Sequence, residues 1–169
     1  MFIDETGAKT NMTRLYARAP MGQRAVDYAP NGHWNTTTLV AGITAEAVIA
    51  PMLLDGPMDA LAFEAYLVHM LIPALPPRAI VVMDNLSAHK TPAIAMRLAH
   101  AGASLHYLPP YSPDFNPIEL MWSKVKTYLR AEKARNKENL QNAVADALAT
   151  ITSEDTHGFF RHCLVCINS

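Results

Sequence analysis

The run AIVVMD at residues 79–84 constrains the fold more than any other stretch of this chain. Five apolar residues in succession leave no polar face, and Pro76 and Pro77 cut the run off from the helical pattern before it. A run of that length reads as a strand covered on both sides, which requires a sheet with helices on each face. It closes on an acid, Asp84. The segment MFID ends in the same way at Asp4, and the Glu5, Thr6 and Gly7 that follow suggest a strand leading into a turn, with Asp4 near the strand's end.

The remaining elements fall around these two strands. Between residues 35 and 54 the β-rich runs NTTTLVAGI and EAVIAPMLL flank Thr44 and Ala45, which predicts an antiparallel hairpin. Residues 14–30, with Gly22 and two prolines, read as an irregular strand or arm. Residues 58–71 read as a helix stopped by Pro73, Pro76 and Pro77, and residues 92–100 as a second helix closed by Gly102. SLHYL is a further short strand. Asn116-Pro117 starts a third helix, with Asn as N-cap and Pro at the first helical position. In it Ile118, Met121, Trp122, Val125 and Leu129 form an apolar stripe, and Glu119, Ser123, Lys126 and Arg130 form a second, outward face. Further helices are expected over 137–151 and from about 155. The order strand, hairpin, helix, strand, helix, strand, helix describes an α/β domain, a mixed five-stranded sheet flanked by helices. It also describes a ribonuclease H-like arrangement, in which the first strand and the strand after the first long helix are neighbours, so that Asp4 and Asp84 lie side by side.

At 169 residues, half of them hydrophobic, the chain can bury the core of one domain, residues 1–169, with about 137–169 as a helical C-terminal extension. The formal net charge of −1 is uninformative, but its distribution is uneven. Lys9, Arg14 and Arg18 occur between residues 8 and 23 without an acid, and Lys124, Lys126, Arg130, Lys133, Arg135 and Lys137 are set against Glu132 alone. Such a run is either a solvated face or a phosphate-binding surface. Asp4 and Glu5 stand where a secretory signal needs a basic start, and the two most apolar long stretches, 38–54 and 58–75, are broken by charges and prolines. A cytoplasmic protein without a membrane role is expected. Cys163 and Cys166 fit buried, reduced cysteines of a helix better than a zinc site shared with His157 and His162.

Three carboxylates brought within a few Å would repel one another and raise their pKa values unless a cation joined them. Oxygen ligands of this kind suit Mg²⁺, and two such ions about 4 Å apart serve in-line displacement at phosphorus. Each acid also has a plainer reading. Asp4 and Asp84 can end strands and start turns, and Glu119 stands at the capping-box spacing from Asn116.

The sequence around each acid decides between these readings. FIDETG, VVMDNLSAHK and LPPYSPDFNPIELMWSKVK resemble, in order, the three signature blocks of the insertion-sequence-630 and mariner superfamily of DDE transposases, and the 34 residues between Asp84 and Glu119 match the family's spacing. NMTRLYARAPMG, NGHWNTTTLVAGI and LLDGPMDALAFEAYL extend the resemblance over about residues 1–150. It implies a ribonuclease H-like catalytic domain whose triad Asp4, Asp84 and Glu119 binds Mg²⁺ or Mn²⁺, two ions being expected, and carries out DNA strand cleavage and strand transfer. Asn85 and His89 fall at positions close to the metals in the family. His89 either orients a water or phosphate or caps the following helix. Lys124, Lys126 and Arg130 follow Glu119 and are expected to contact double-stranded DNA, both transposon ends and target. A homodimer on DNA is a further expectation. Relatives carry helix-turn-helix domains before the first acid, where this chain has three residues, so a truncated copy, a fragment or a partner encoded by an upstream reading frame is expected. Phe115 replaces a common Leu, and the ending HCLVCINS departs from the pattern. A silent DNA-binding or interaction remnant and a structure-specific nuclease of the same fold are the alternatives.

Overall fold

The computed structural model describes residues 1–28, 30–31, 36–86 and 89–167, with side chains to residue 163. Five strands form one mixed sheet: β1 (Phe2–Ala8), β2 (Thr37–Ile43), β3 (Val48–Asp55), β4 (Ile80–Met83) and β5 (Ser104–Tyr107). The order across the sheet is β3-β2-β1-β4-β5. β1, β2 and β3 form an antiparallel meander, while β4 and β5 run parallel to β1. β1 and β4 are neighbours in a mixed five-stranded sheet, as the ribonuclease H-like arrangement expected from the sequence requires.

The hairpin turns at Thr44, whose hydroxyl accepts from the N–H groups of Glu46 and Ala47 and so replaces an Asn-Gly turn. Farther along, the β2–β3 register shifts between Val40 and Gly42. Ala50 there adopts a positive φ of 49° beside Pro51, which cannot donate to a ladder, so the edge strand carries a bulge.

Each face of the sheet has its own core. On one side α1 (Ala60–Tyr66), a π-helical turn (Leu67–Leu71), α2 (Ile72–Ala74) and α3 (Pro92–His100) cover the sheet. Phe63, Leu67, Leu71, Ile94 and Leu98 pack there against Ile3, Val40, Val81 and Met83. On the other side α4 (Pro117–Glu132), α5 (Lys137–Ala149) and α6 (Ser153–Ile167) do so, with Ile118, Met121, Trp122, Val125 and Leu129 against Leu39, Ala41 and Ile43. Each of these large side chains, fully buried, stabilises the fold by about 1.5–3 kcal/mol. The stripe read from the sequence is the buried face of α4.

Three expectations need correction. The helix over 58–71 does not stop at Pro73. It starts later, at Ala60, capped by the Asp59 carboxylate, and continues to Ala74 through the π-helical turn, in which the Ile72 N–H reaches back to the Leu67 carbonyl. That wider turn accommodates a proline that lacks an N–H and would crowd an α-helical turn before it. The run at 79–84 is not covered evenly: Val81 and Met83 are fully buried, but Ile80 is 57% exposed, because no β4 or β5 residue belongs to the core under α4 and α5. Asp4 is mid-strand rather than near a strand end, since β1 runs on to Ala8 against β2.

The arm between β1 and β2 has no regular structure over the described residues from 12 to 28, as its glycine and prolines predict. Cys163 is buried in α6, and the side chain of Cys166 lies outside the described residues. Among the described residues no helix is long and apolar enough to cross a membrane.

Candidate active site

Parallel pairing brings the first two acids together. Phe2 is in register with Val82 and Ile3 with Met83, so the next pair along the strands is Asp4 and Asp84. β4 ends at Met83 while β1 continues, and this leaves a step in the sheet at the carboxyl end of β4. The third acid comes from the first turn of α4, which Pro117 starts and which the Trp122 stripe presses onto β1 and β2. Asp4, Asp84 and Glu119 all line one open cleft of about 440 Å³, together with Asn85, Asn116 and the loop from Leu108 to Pro113.

Glu119 is exposed and is not a capping residue: the Asn116 N–H that a capping carboxylate would accept from donates instead to the Pro113 carbonyl at 2.9 Å, and the Asn116 side chain makes no capping bond either. Asn116 is 4% exposed, and its side-chain oxygen has no hydrogen-bond donor. An acceptor buried without a donor at the edge of a carboxylate cleft is expensive unless something electropositive faces it. The cleft therefore offers oxygen donors only, which is the chemistry of a Mg²⁺ or Mn²⁺ site. Among the described residues no three His, Cys, Asp or Glu side chains close around a single point, as ligands of one bound ion would.

The two aspartates sit in opposite electrostatic settings. Asp4 is 7% exposed, and its pKa is pushed up to about 7. Burial is the main cause and the charge of Glu119 the next, with Glu5 and Asp84 adding to them and the Glu5 N–H pulling the other way. The Trp122 indole N–H donates to Asp4 Oδ2 at 3.1 Å. Asp84 is held below the usual carboxylate range: burial works against ionisation, but His89, the Leu86 N–H and the charge of Lys90 outweigh it. Asp84 Oδ1 accepts from the Leu86 N–H at 3.1 Å and lies 2.8 Å from His89 Nδ1.

His89 does not cap the following helix; Thr91 does, its hydroxyl accepting from the Ile94 N–H. Nor does the imidazole line the cleft. It is fully buried against the Phe63 ring, with centroids 4.2 Å apart, and its Nε2 stands 3.2 Å from Glu5 Oε2, a charge contact not aligned as a hydrogen bond. Burial alone would lower its pKa, but the two carboxylates hold it up at about 9. Carboxylates facing both ring nitrogens are compatible only with protons on both. The roles of Glu5, Trp122 and the Asn116 side chain were missed by sequence reasoning. Alternation along β1 indicates that Glu5 points away from Asp4, but nothing local shows that His89 lies beneath it.

The sequence profile of the DDE superfamily endonucleases matches residues 1–141. The chain belongs to that family. Among solved structures, this DDE domain is similar to the Mos1 mariner paired-end complex with Mn at a TM-score of 0.83 and 22% identity, over 99% of this chain and 53% of that one. The Mos1 strand transfer complex gives 0.80 and 21%, over 99% and 52%. The isolated catalytic domain of Mos1 mariner transposase gives 0.66 and 16%, over 96% and 76%. The DDE domain thus has the ribonuclease H-like fold and spans about half the length of the Mos1 chains in the DNA complexes. Among curated proteins none matches its sequence significantly.

The basic run of the DDE domain is mostly spent on its own fold. Lys124 donates to the Thr150 carbonyl at 3.0 Å and to Asp155 at 2.6 Å, so it ties α4 to α6 instead of extending the Glu119 face. At about 100° per residue it lies roughly 140° around the helix from Glu119, whereas Lys126 and Arg130 return to within about 20° of it. Lys133 pairs with Asp27 at 2.5 Å, Arg135 donates to the carbonyls of Thr10 and Met12, and Lys137 pairs with Asp55. Lys133 and Arg135 thereby anchor the arm to the α4–α5 corner. On the arm Arg14, Arg18 and Arg24 are exposed, as are Tyr16 and Tyr28.

Proposed function

We propose that this DDE domain is the catalytic part of a transposase, which cuts DNA strands at transposon ends and joins the freed 3′ ends to target DNA. The observation that carries the reading is the convergence of Asp4, Asp84 and Glu119, from two strands and a helix, on one solvent-open cleft. In this reading the three carboxylates hold Mg²⁺ or Mn²⁺, two ions at once. Bound there, the ions would activate the attacking hydroxyl and stabilise the departing oxygen. Asp4 would hold a cation as its carboxylate, the proton that its raised pKa retains being lost, and the Trp122 N–H would keep that carboxylate in place. Asp84 is already ionised and needs no such step. Glu119, free of capping duty, can adjust its reach. Asn85 and Asn116 line the same cleft wall.

Lys126 and Arg130, on the face of α4 that begins with Glu119, guide the DNA backbone toward the acids, and Arg14, Arg18 and Arg24 of the arm extend that positive surface. Paired transposon ends call for two catalytic domains on one DNA assembly, so a homodimer on DNA belongs to the proposal. So does a helix-turn-helix module, on the same or a separate polypeptide, to recognise the ends. The setting would be the cytoplasm, on the chromosome. The similarity to Mos1 complexes with transposon-end DNA, Mn and Mg supports the reading.

A labelled duplex incubated with Mg²⁺ or Mn²⁺ should be cut by the wild-type domain and not by Asp84→Asn. A pre-cut 3′ end should then be joined to a second duplex. Cutting without joining would make the protein a simple nuclease, and the absence of both would make it a silent remnant.

A further inference from the structure

Glu5 follows Asp4 directly, and strand alternation turns the two side chains to opposite faces of the sheet. Asp4 looks into the cleft toward α4. Glu5 lies on the Ile3 side, under α1, and contributes nothing to the cleft wall. Its side chain is 17% exposed, and the one cationic group it meets among the described residues is the imidazole of His89, 3.2 Å away. A carboxylate buried to this degree is costly unless it is paired.

The imidazole is constrained on every side. Nδ1 is 2.8 Å from Asp84 Oδ1, Nε2 faces Glu5, one ring face lies on Phe63, and the His89 carbonyl accepts from the Tyr107 hydroxyl at 2.8 Å. Asp84 has no comparable support from the sheet, because β4 ends at Met83 and leaves it on a loop. One of its oxygens is committed to the Leu86 N–H and His89, while the other is left to the cleft.

We propose that Glu5 is a positioning residue of the metal site: it fixes the His89 imidazole through Nε2, and the imidazole in turn fixes the carboxylate of Asp84 with Oδ2 presented to the cleft. The inference rests on the reading of Asp84 as a metal ligand. It places in this domain an outer-shell support that runs carboxylate, imidazole, carboxylate, with the histidine serving as the lock on a ligand instead of as a ligand. A merely structural Glu5, balancing a buried histidine, would set stability and leave cation affinity alone.

The two roles separate in Mn²⁺ binding to the intact chain, measured as free Mn²⁺ by electron paramagnetic resonance, alongside melting with and without the ion. Glu5→Gln should weaken Mn²⁺ binding about tenfold and shrink the stabilisation that Mn²⁺ confers. His89→Asn should weaken it at least as much, and adding Glu5→Gln to His89→Asn should weaken it no further, since both act through one contact. If Glu5→Gln does not fold, Glu5→Asp keeps the charge, shortens the reach by one methylene and should weaken binding several-fold. Wild-type affinity in whichever Glu5 variant folds, or a full Glu5 effect in the His89→Asn background, overturns the positioning role while Asp84→Asn still shows the metal site. A wild-type chain that takes up no Mn²⁺, or an Asp84→Asn variant that binds it as wild type does, overturns the metal-site reading and the role of Glu5 with it.

Discussion

Asp4 and Asp84 occupy adjacent positions on adjacent strands, yet their surroundings pull their protons in opposite directions. Asp4, in the ladder and against the α4 core, has the Trp122 indole N–H and the Glu5 N–H for support, yet burial and the charge of Glu119 raise it to about 7. Asp84, one residue past its strand, has an imidazole and a backbone N–H and is lowered. A cleft meant only to be stable would give both acids a cationic partner, as His89 and Lys90 serve Asp84, or replace one acid by an apolar residue. Leaving Asp4 under-compensated keeps a negative charge that only a cation or a proton relieves.

The sharpest way to break this comparison is to neutralise each acid in turn. Both Asp4→Asn and Asp84→Asn should reduce DNA cleavage to background, but their effects on metal-free stability should have opposite signs. Asp4→Asn keeps an acceptor for Trp122 and removes a charge held against burial. It should stabilise the protein at pH 8, by up to about 4 kcal/mol, in urea unfolding. Asp84→Asn leaves His89 without its carboxylate and should destabilise by about 1–3 kcal/mol. Equal shifts in the same direction would show that the two settings do not differ.

The same contrast appears in the pH dependence. A folded pKa of about 7 at Asp4, above its ordinary 3.8, means that the native state keeps a proton the unfolded chain has lost. Metal-free stability should therefore fall as pH rises from about 4 to 7. His89, raised to about 9 from 6.5, adds stability that is complete below 6.5 and lost toward 9, extending the decline. Mn²⁺ should flatten the part between 4 and 7, with its affinity rising over the same interval; calorimetric melts at stepped pH measure both.

Two smaller effects sharpen the picture around α4. Alanine at Lys126 and Arg130 together should reduce the salt slope of DNA binding by about 2, whereas Lys124→Ala should leave the slope unchanged and lower the melting temperature by about 2 °C. Trp122→Phe keeps the packing but removes the donor to Asp4, and should move the pH midpoint of Mn²⁺ binding upward by a few tenths of a unit.

What the sequence disclosed follows from how locally each feature is encoded. Apolar runs ending in acids gave β1 and β4, and Asn116-Pro117 with its stripe gave α4 and the direction of Glu119. The sheet order, and with it the meeting of Asp4 and Asp84, rested on recognising a familiar succession of elements. The Glu5–His89 contact depends on where His89 comes to lie relative to β1, for which no periodicity exists. The tie made by Lys124 was hidden for a related reason: its helical angle is legible, but the acid awaiting it on α6 is not. The helix through Pro73 was cut short because a proline is read as a stop, and the π-helical turn that accommodates it leaves no mark in composition.

The step where β1 outruns β4 has a consequence of its own. Ladder bonds grip Asp4 as firmly as any core residue, while Asp84 is moored from below by a side chain on the far face of the sheet. Disturbing that mooring would misalign the cleft while the two cores on either side of the sheet keep their packing. Variants of this domain can in this way lose chemistry without losing shape, and a folded, soluble preparation is no guarantee of a competent one.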